Sequence, residues 1–188
     1  MRDRKAAGVR GVGLTLVLFV AGCLGTPDGV QPVAGFELER YLGTWYEIAR
    51  LDHSFERGLS RVTANYRPRD GGGVEVINRG FDAESGDWRE TQGKAFLVGD
   101  PGVGALKVSF FGPFYGAYNI IALDRDGYEY AMVCGPDRSY LWILARDPEL
   151  EDAVVQRLVS QAESLGFATA DLIFVDHRPG SEDPDAGP

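Results

Sequence analysis

Two cysteines, Cys23 and Cys134, and two histidines, His53 and His177, are the residues of this chain best suited to covalent or metal chemistry. A cysteine nucleophile needs a base beside it or surroundings that lower its pKa. Nothing in the spacing sets either histidine next to Cys134, and free cysteine is among the most buried residue types. Cys134 therefore reads as a packing residue and the chain as a non-enzyme; an enzyme acting on lipids or peroxides through Cys134 is the alternative. No His/Cys pair has metal-ligand spacing, so neither a metal nor another cofactor is expected. The glycines of "GDPGVG" at 99–104 are followed by no Lys-Ser/Thr and no helix, and read as a turn rather than a phosphate cradle.

Cys23 invites different chemistry. A basic start, "MRDRKAAGVR", precedes an apolar run of about 11 residues, short of the roughly 20 that span a bilayer. That pattern is a secretory signal. Its end, Val20-Ala21-Gly22-Cys23, resembles the lipobox of bacterial lipoproteins. The resemblance implies a diacylglycerol on the Cys23 thiol, cleavage just before it, and acylation of the new amine by palmitate or a similar chain. Two or more chains anchor a protein stably, at roughly 0.8 kcal/mol per buried methylene. Leu24 in place of Asp after the cysteine implies the outer membrane, lipid-anchored on its periplasmic side.

The organisation follows as a signal peptide at 1–22, a Gly/Pro-rich tether at 23–35, a domain at 36–177 and a disordered acidic tail at 178–188. The 188-residue chain carries a formal charge of −9. Without Arg2, Arg4, Lys5, Arg10 and Asp3 of the signal, 15 basic and 27 acidic residues remain, or −12. Such a body is a poor candidate for nucleic acid or for a basic-patch contact with anionic lipid. Its 44% hydrophobic content suffices for a core.

Between Thr44 and Arg146 the pattern is eight β-rich runs, near 44–52, 60–69, 74–82, 88–98, 105–111, 117–124, 128–134 and 139–146. Turn signals such as "RDGGG", "AESGD" and "GPDRS" separate them. Connectors this short join antiparallel neighbours. Alternation shows in Val62/Ala64/Tyr66, Val74/Val76, Leu106/Val108/Phe110 and Tyr128/Tyr130/Met132. One helix follows, with Asp147 as N-cap, Pro148 at N1, an apolar stripe of Leu150, Val154, Leu158, Ala162 and Leu165, and Gly166 as left-handed cap. Leu172–Val175 reads as a short final strand. Closing eight strands on themselves removes both sheet edges. The fold class is thus all-β: an eight-stranded antiparallel up-and-down barrel with one C-terminal helix outside. An open two-sheet sandwich is the alternative.

Gly43-x-Trp45 at the start of the first strand, Leu123-Asp124 before a tight turn, and Arg146 at the end of the eighth strand resemble the three short motifs of the lipocalins. The middle one departs, with Leu123 where Thr is usual and Arg125 where Tyr is usual. The stretches "YLGTWYEIARLDHSFERGL", "ALKVSFFGPFYGAYNIIALDR" and "VCGPDRSYLWILAR" are similar to the bacterial outer-membrane branch of that family. The resemblance implies that Trp45 plugs the closed end under Arg146, and that Gly43, Trp45, Asp124 and Arg146 stabilise the fold rather than contact ligand.

It further implies a barrel that binds fatty acids or lysophospholipids for storage, transport or repair at the cell envelope. A structural lipoprotein with a filled barrel is the competing expectation, and a homodimer stays open. Candidate lining residues are Tyr66, Phe81, Phe96, Phe110, Tyr118 and Tyr130. A ligand head group near the mouth wants a cation or donor; Arg50, Arg61, Arg79 and Lys107 are the candidates. The loop 52–58, "DHSFERG", is expected over the open end as a solvated loop, with a lid that includes His53 and Phe55 as the alternative.

Overall fold

The structure is a computed structural model, and residues 24–178 are described. Cys23, the rest of the signal segment and the tail beyond Arg178 lie outside the described residues. Eight antiparallel strands close into a barrel. They are β1 (Gly43–Arg50), β2 (Leu59–Pro68), β3 (Val74–Asp82), β4 (Asp87–Leu97), β5 (Ala105–Ser109), β6 (Gly116–Leu123), β7 (Tyr130–Cys134) and β8 (Leu141–Ala145). Each pairs with the next, and β1 pairs with both β2 and β8, so no strand is left as an edge. The closed barrel replaces the sandwich alternative. A one-turn helix, α1 (Leu38–Tyr41), crosses the closed end, and a two-residue strand, β9 (Ile173–Phe174), adds to β1 at Ala49 and Arg50.

Two apolar layers hold the molecule together, one on each side of the same wall. Inside, Trp45, Tyr41, Phe36, Val74, Val76, Leu106, Ile120, Ala131, Val133 and Leu144 fill the lower barrel. Outside, Ala49, Ile121, Met132, Cys134, Leu141, Ile143 and Ala145 meet Leu158, Ala162 and Phe167 of the C-terminal helix segment. Strands β7 and β8 are therefore apolar on both faces, as a strand covered on both sides must be.

The helix α2 spans Asp152–Ser164, four residues later than Asp147-Pro148 foretold, and Glu151 caps it without a side-chain bond. The Arg146 side chain is tied to carbonyls at the barrel base, so the chain must first clear that end and turn back along the wall. Pro148 lies in the bend that does this. The helix end is as expected. Gly166 has φ +82°, its N–H donates to the Glu163 carbonyl, and the Phe167 N–H donates to the Ala162 carbonyl at 3.1 Å.

The segment 24–35 is laid on the barrel rather than hanging free. Val33 N–H donates to the Ile120 carbonyl at 2.8 Å and Gly104 N–H to the Val33 carbonyl at 2.8 Å, while Val30 is buried against the outer core. Its first described residues reach the β7–β8 connection, where Arg138 donates to the Asp28 carbonyl at 2.6 Å.

Candidate functional site

The closed end is built around one indole. Trp45 is fully buried and its Nε1 donates to the Tyr41 carbonyl at 2.8 Å. The Arg146 guanidinium carbon stands 3.9 Å from the Trp45 ring centre. The same guanidinium donates to the carbonyls of Arg40 (2.7 Å), Thr44 (2.9 Å) and Tyr128 (3.2 Å). Gly43 has φ +97°, and a Cβ there would stand 3.3 Å from Arg146 Nη1. Asp124 organises the neighbouring turn: its Oδ2 accepts from the N–H groups of Gly127 and Glu129, at 3.1 and 3.3 Å.

Above this plug three phenols form the cavity floor. Tyr118 Oη lies 2.8 Å from Tyr41 Oη and 2.8 Å from Tyr66 Oη. Burial pushes all three hydroxyls above the usual phenol range, so they stay protonated. Three O–H groups joined by two hydrogen bonds leave one donor proton unspent inside an apolar chamber.

The chamber over the floor is lined by Val62, Ala64, Val74, Val76, Ala95, Leu106, Val108 and Leu144 with the tyrosines. It holds about 100 Å³ of open space and adjoins an outer chamber of about 620 Å³ at the open end of the barrel. The outer volume is that of a small-molecule pocket, typically about 300–1,000 Å³. Phe55, Val108, Phe110 and Trp142 border both chambers. The lower barrel is filled and the upper barrel is hollow.

Of the six candidate lining residues, Tyr66, Phe110 and Tyr118 face this space. The other three are corrected to the outer face of the wall. Phe81 packs edge-on to Trp88 and Phe96 lies beside Tyr115. Tyr130 packs under α2, its hydroxyl accepting from Arg157 at 2.9 Å. The inner residues of β3, β4 and β7 are instead Val74 and Val76, Ala95, and Ala131 and Val133. Gly93 gives Phe110 its room, since a Cβ at Gly93 would come within 2.7 Å of the Phe110 ring.

A polar cluster interrupts the apolar wall. The register of β1 against β8 slips between Glu47 and Ala49, so Glu47 and Arg50 both point inward, opposite Leu144 and Trp142. Arg50 donates to Glu47 Oε1 at 2.6 Å and to the carbonyls of Glu56 and Leu59 at 3.0 and 3.1 Å. Glu56 Oε2 accepts from Trp142 Nε1 at 3.1 Å. Glu47 and Glu56 both line the inner chamber. Burial, and then the charge of Glu56, raises the Glu47 pKa well above the carboxylate range; burial raises Glu56 as well. Both carboxyls are thus biased towards the protonated form, while the Arg50 charge opposes that bias. His53, stacked on Phe55 at 4.0 Å, lies 3.2 Å from Glu56 Oε2. Burial, then the Arg50 charge, lowers its pKa to about 4, so the ring is neutral.

None of the four cation candidates offers a head-group contact in the inner chamber. Arg50 is spent on Glu47 and two carbonyls. Arg61 lies over the Phe81 ring at 3.8 Å and Lys107 lies 5.0 Å from the Tyr115 ring centre, both on the outer face. Arg79 reaches the rim of the outer chamber, over Trp88 at 4.0 Å. Phe55 forms part of the rim of the outer chamber, and His53 is buried beneath it. Cys134 is fully buried under α2, on the far side of the wall from the cavity, and burial pushes its thiol up to about 12. His177 lies elsewhere, its Nε2 2.9 Å from the Glu47 carbonyl. Among the described residues no group of three or more His, Cys, Asp or Glu could hold a metal ion.

Glu47 and Glu56 escaped sequence reasoning. The one available signal was a glutamate with an arginine three residues on, in a strand otherwise apolar inward. Strict alternation sends those two to opposite faces, and only the bulge reunites them.

Comparison with known proteins matches residues 36–177 to a family model described as a lipocalin-like domain. The chain is 54% identical over 157 residues to the outer membrane lipoprotein Blc of Vibrio cholerae, covering 84% of this chain and 92% of that one. It is 56% identical over 155 residues to outer membrane lipoprotein Blc of Escherichia coli K12, covering 82% and 86%. Among solved structures, insecticyanin of Manduca sexta superposes with a TM-score of 0.67 at 24% identity, covering 85% of this chain and 89% of that one, a likeness of fold.

Proposed function

The chain belongs to the lipocalin family, and from that premise we propose that its cavity binds single-chain lipids, fatty acids or lysophospholipids, at the bacterial outer membrane. The observation that carries this reading is the pair of adjoining, largely apolar chambers between the tyrosine floor and the open end. An acyl chain is the ligand shape that fills a narrow inner chamber and a wider vestibule together. The Glu47–Glu56 pair, with no spare cation beside it, favours a lysophospholipid or a protonated fatty acid over an ionised carboxylate at that depth. Binding rather than turnover is supported by the position of Cys134, walled off from the cavity with its thiol protonated.

The relatives' names as outer membrane lipoproteins support the same location here, with lipidation at Cys23 as the anchor. The role is to store, carry or return lipids of the envelope. The test is titration of the Cys23→Ser protein with a fluorescent fatty acid and with a lysophospholipid as competitor. Micromolar or tighter binding is expected, about −8 kcal/mol or better. Ala64→Phe, which fills the inner chamber, should weaken it about tenfold or more. Saturation unaffected by Ala64→Phe, or none at all, would remove the reading. Native mass spectrometry of the same protein reports the bound mass and whether two copies associate.

A further inference from the structure

We propose that the open end of the barrel is a membrane-docking face, seating the β5–β6 loop and Phe55 in the surface of the bilayer that carries the anchor. The proposal rests on lipidation of Cys23.

Three large apolar side chains stand in solvent at this end. Phe111 is 78% exposed, Phe114 68% and Phe55 58%. All three border the outer chamber, so they form one rim. The loop that carries two of them lies in "FFGPFYG" at 110–116, with no charged residue in a chain of net charge −9. The closed end is unlike it: its connections read "RDGGG" at 69–73 and "DRDG" at 124–127, with Asp70, Asp126 and Gly127 exposed. Exposed apolar side chains meet lipid by insertion into the interface, which does not require head-group attraction.

The position of the first described residues supplies an independent argument. The Gly25 carbonyl accepts from Asn119 Nδ2 at 3.2 Å, and the same amide donates to the Gly135 carbonyl at 3.3 Å. Arg138 holds Asp28. Gly135 and Arg138 belong to the β7–β8 connection, which is at the open end, and Gly135 itself borders the outer chamber. Cys23 is two residues from Gly25, a reach of at most about 7 Å. A lipidated Cys23 therefore holds this end near the bilayer. The closed end, a strand length or about 20 Å away, is out of its reach. Leu24, 41% exposed, adds a further apolar side chain beside the anchor. A mouth resting on lipid lets an acyl chain pass between bilayer and cavity without crossing water.

The experiment uses the full lipidated chain in vesicles of phosphatidylethanolamine with a minor share of phosphatidylglycerol. An environment-sensitive fluorophore is placed at Phe114→Cys or, at the closed end, at Asp70→Cys, with Cys134 inaccessible in the folded protein. Brominated acyl chains should quench the label at 114 about threefold or more strongly than the label at 70. Equal or reversed quenching in membrane-bound protein would overturn the orientation while leaving the anchor and the cavity intact. Self-quenching and crosslinking at 114 without lipid quenching would mean that a second copy covers the rim, and would also overturn it. Failure of the unlabelled chain to sediment with vesicles would remove the anchor and the orientation together. Lipid binding is read separately on the Cys23→Ser protein.

Discussion

The guanidinium of Arg146 covers the ring of Trp45 at 3.9 Å while three of its N–H bonds go to backbone carbonyls of Arg40, Thr44 and Tyr128. One side chain thus ties the one-turn helix, the first strand and the β6–β7 turn to the indole that seals the base. Loss of the guanidinium removes the donor from all three carbonyls, the Tyr128 one being part-buried.

Arg146→Ala should destabilise the fold by about 2–4 kcal/mol, combining a cation–π contact with carbonyls left unpaired. Arg146→Lys should recover less than half, because an ammonium cannot span the three acceptors and lie flat on the ring. Gly43→Ala, at φ +97° with the guanidinium 3.3 Å from the new Cβ, should cost about 1–3 kcal/mol. Urea denaturation measures all three; near-zero values would dismantle this view of the base.

Tyr118 is the middle member of the phenol chain, so its removal orphans two hydroxyls where loss of an end orphans none. Tyr118→Phe should cost about 1–3 kcal/mol and exceed Tyr41→Phe and Tyr66→Phe. Equal losses for all three in denaturant melts would mean that the chain does not act as a unit.

Two opposed pH effects should separate by mutation. The folded pKa of His53 is about 4, against about 6.5 when unfolded, so the unfolded chain binds more protons between those values. Stability is lost as pH falls through that window, by about 3 kcal/mol at most, and levels off below it. Glu47 and Glu56 have raised folded values, so the folded state holds the extra proton and stability is lost as pH rises above the ordinary carboxyl range. His53→Gln should flatten the acid limb of a melting-temperature profile, and Glu47→Gln the limb at higher pH. Variant profiles parallel to the wild type would show that neither group is buried as described.

Cys134 should be inert. With its thiol pushed up to about 12 and no exposed surface, alkylation of the folded Cys23→Ser protein near pH 8 should run about 10³-fold slower than for a free cysteine. Denaturant should restore the rate. Fast labelling of the native protein would reopen the enzyme alternative.

Strand positions, turn positions, the left-handed cap at Gly166 and the Gly43/Trp45/Arg146 base were legible along the chain, because each depends on local chemistry or on motif residues close to a strand end. The inward faces of β2 and β5 were legible too: Val62/Ala64/Tyr66 and Leu106/Val108/Phe110 do line the cavity. The reading failed where both faces of a strand are apolar. On β7 the Tyr130/Met132 face lies under α2, and the smaller Ala131 and Val133 point inward. Aromatic size was the wrong guide, since a hollow interior needs small residues on much of its wall.

By itself the sequence determined that the chain makes eight antiparallel strands with a helix after them, since period and turn chemistry are properties of nearby residues; closure of the wall is the favoured reading, with the sandwich left open. Only the tertiary structure decided which face of β7 is the inside, that a bulge beside Ile48 turns Glu47 and Arg50 into the barrel together, and that the segment from Leu24 to Gly35 lies along the wall with Gly25 near the mouth. Those outcomes come from packing between segments far apart in the chain, and a one-residue slip in register reverses them without changing any local preference.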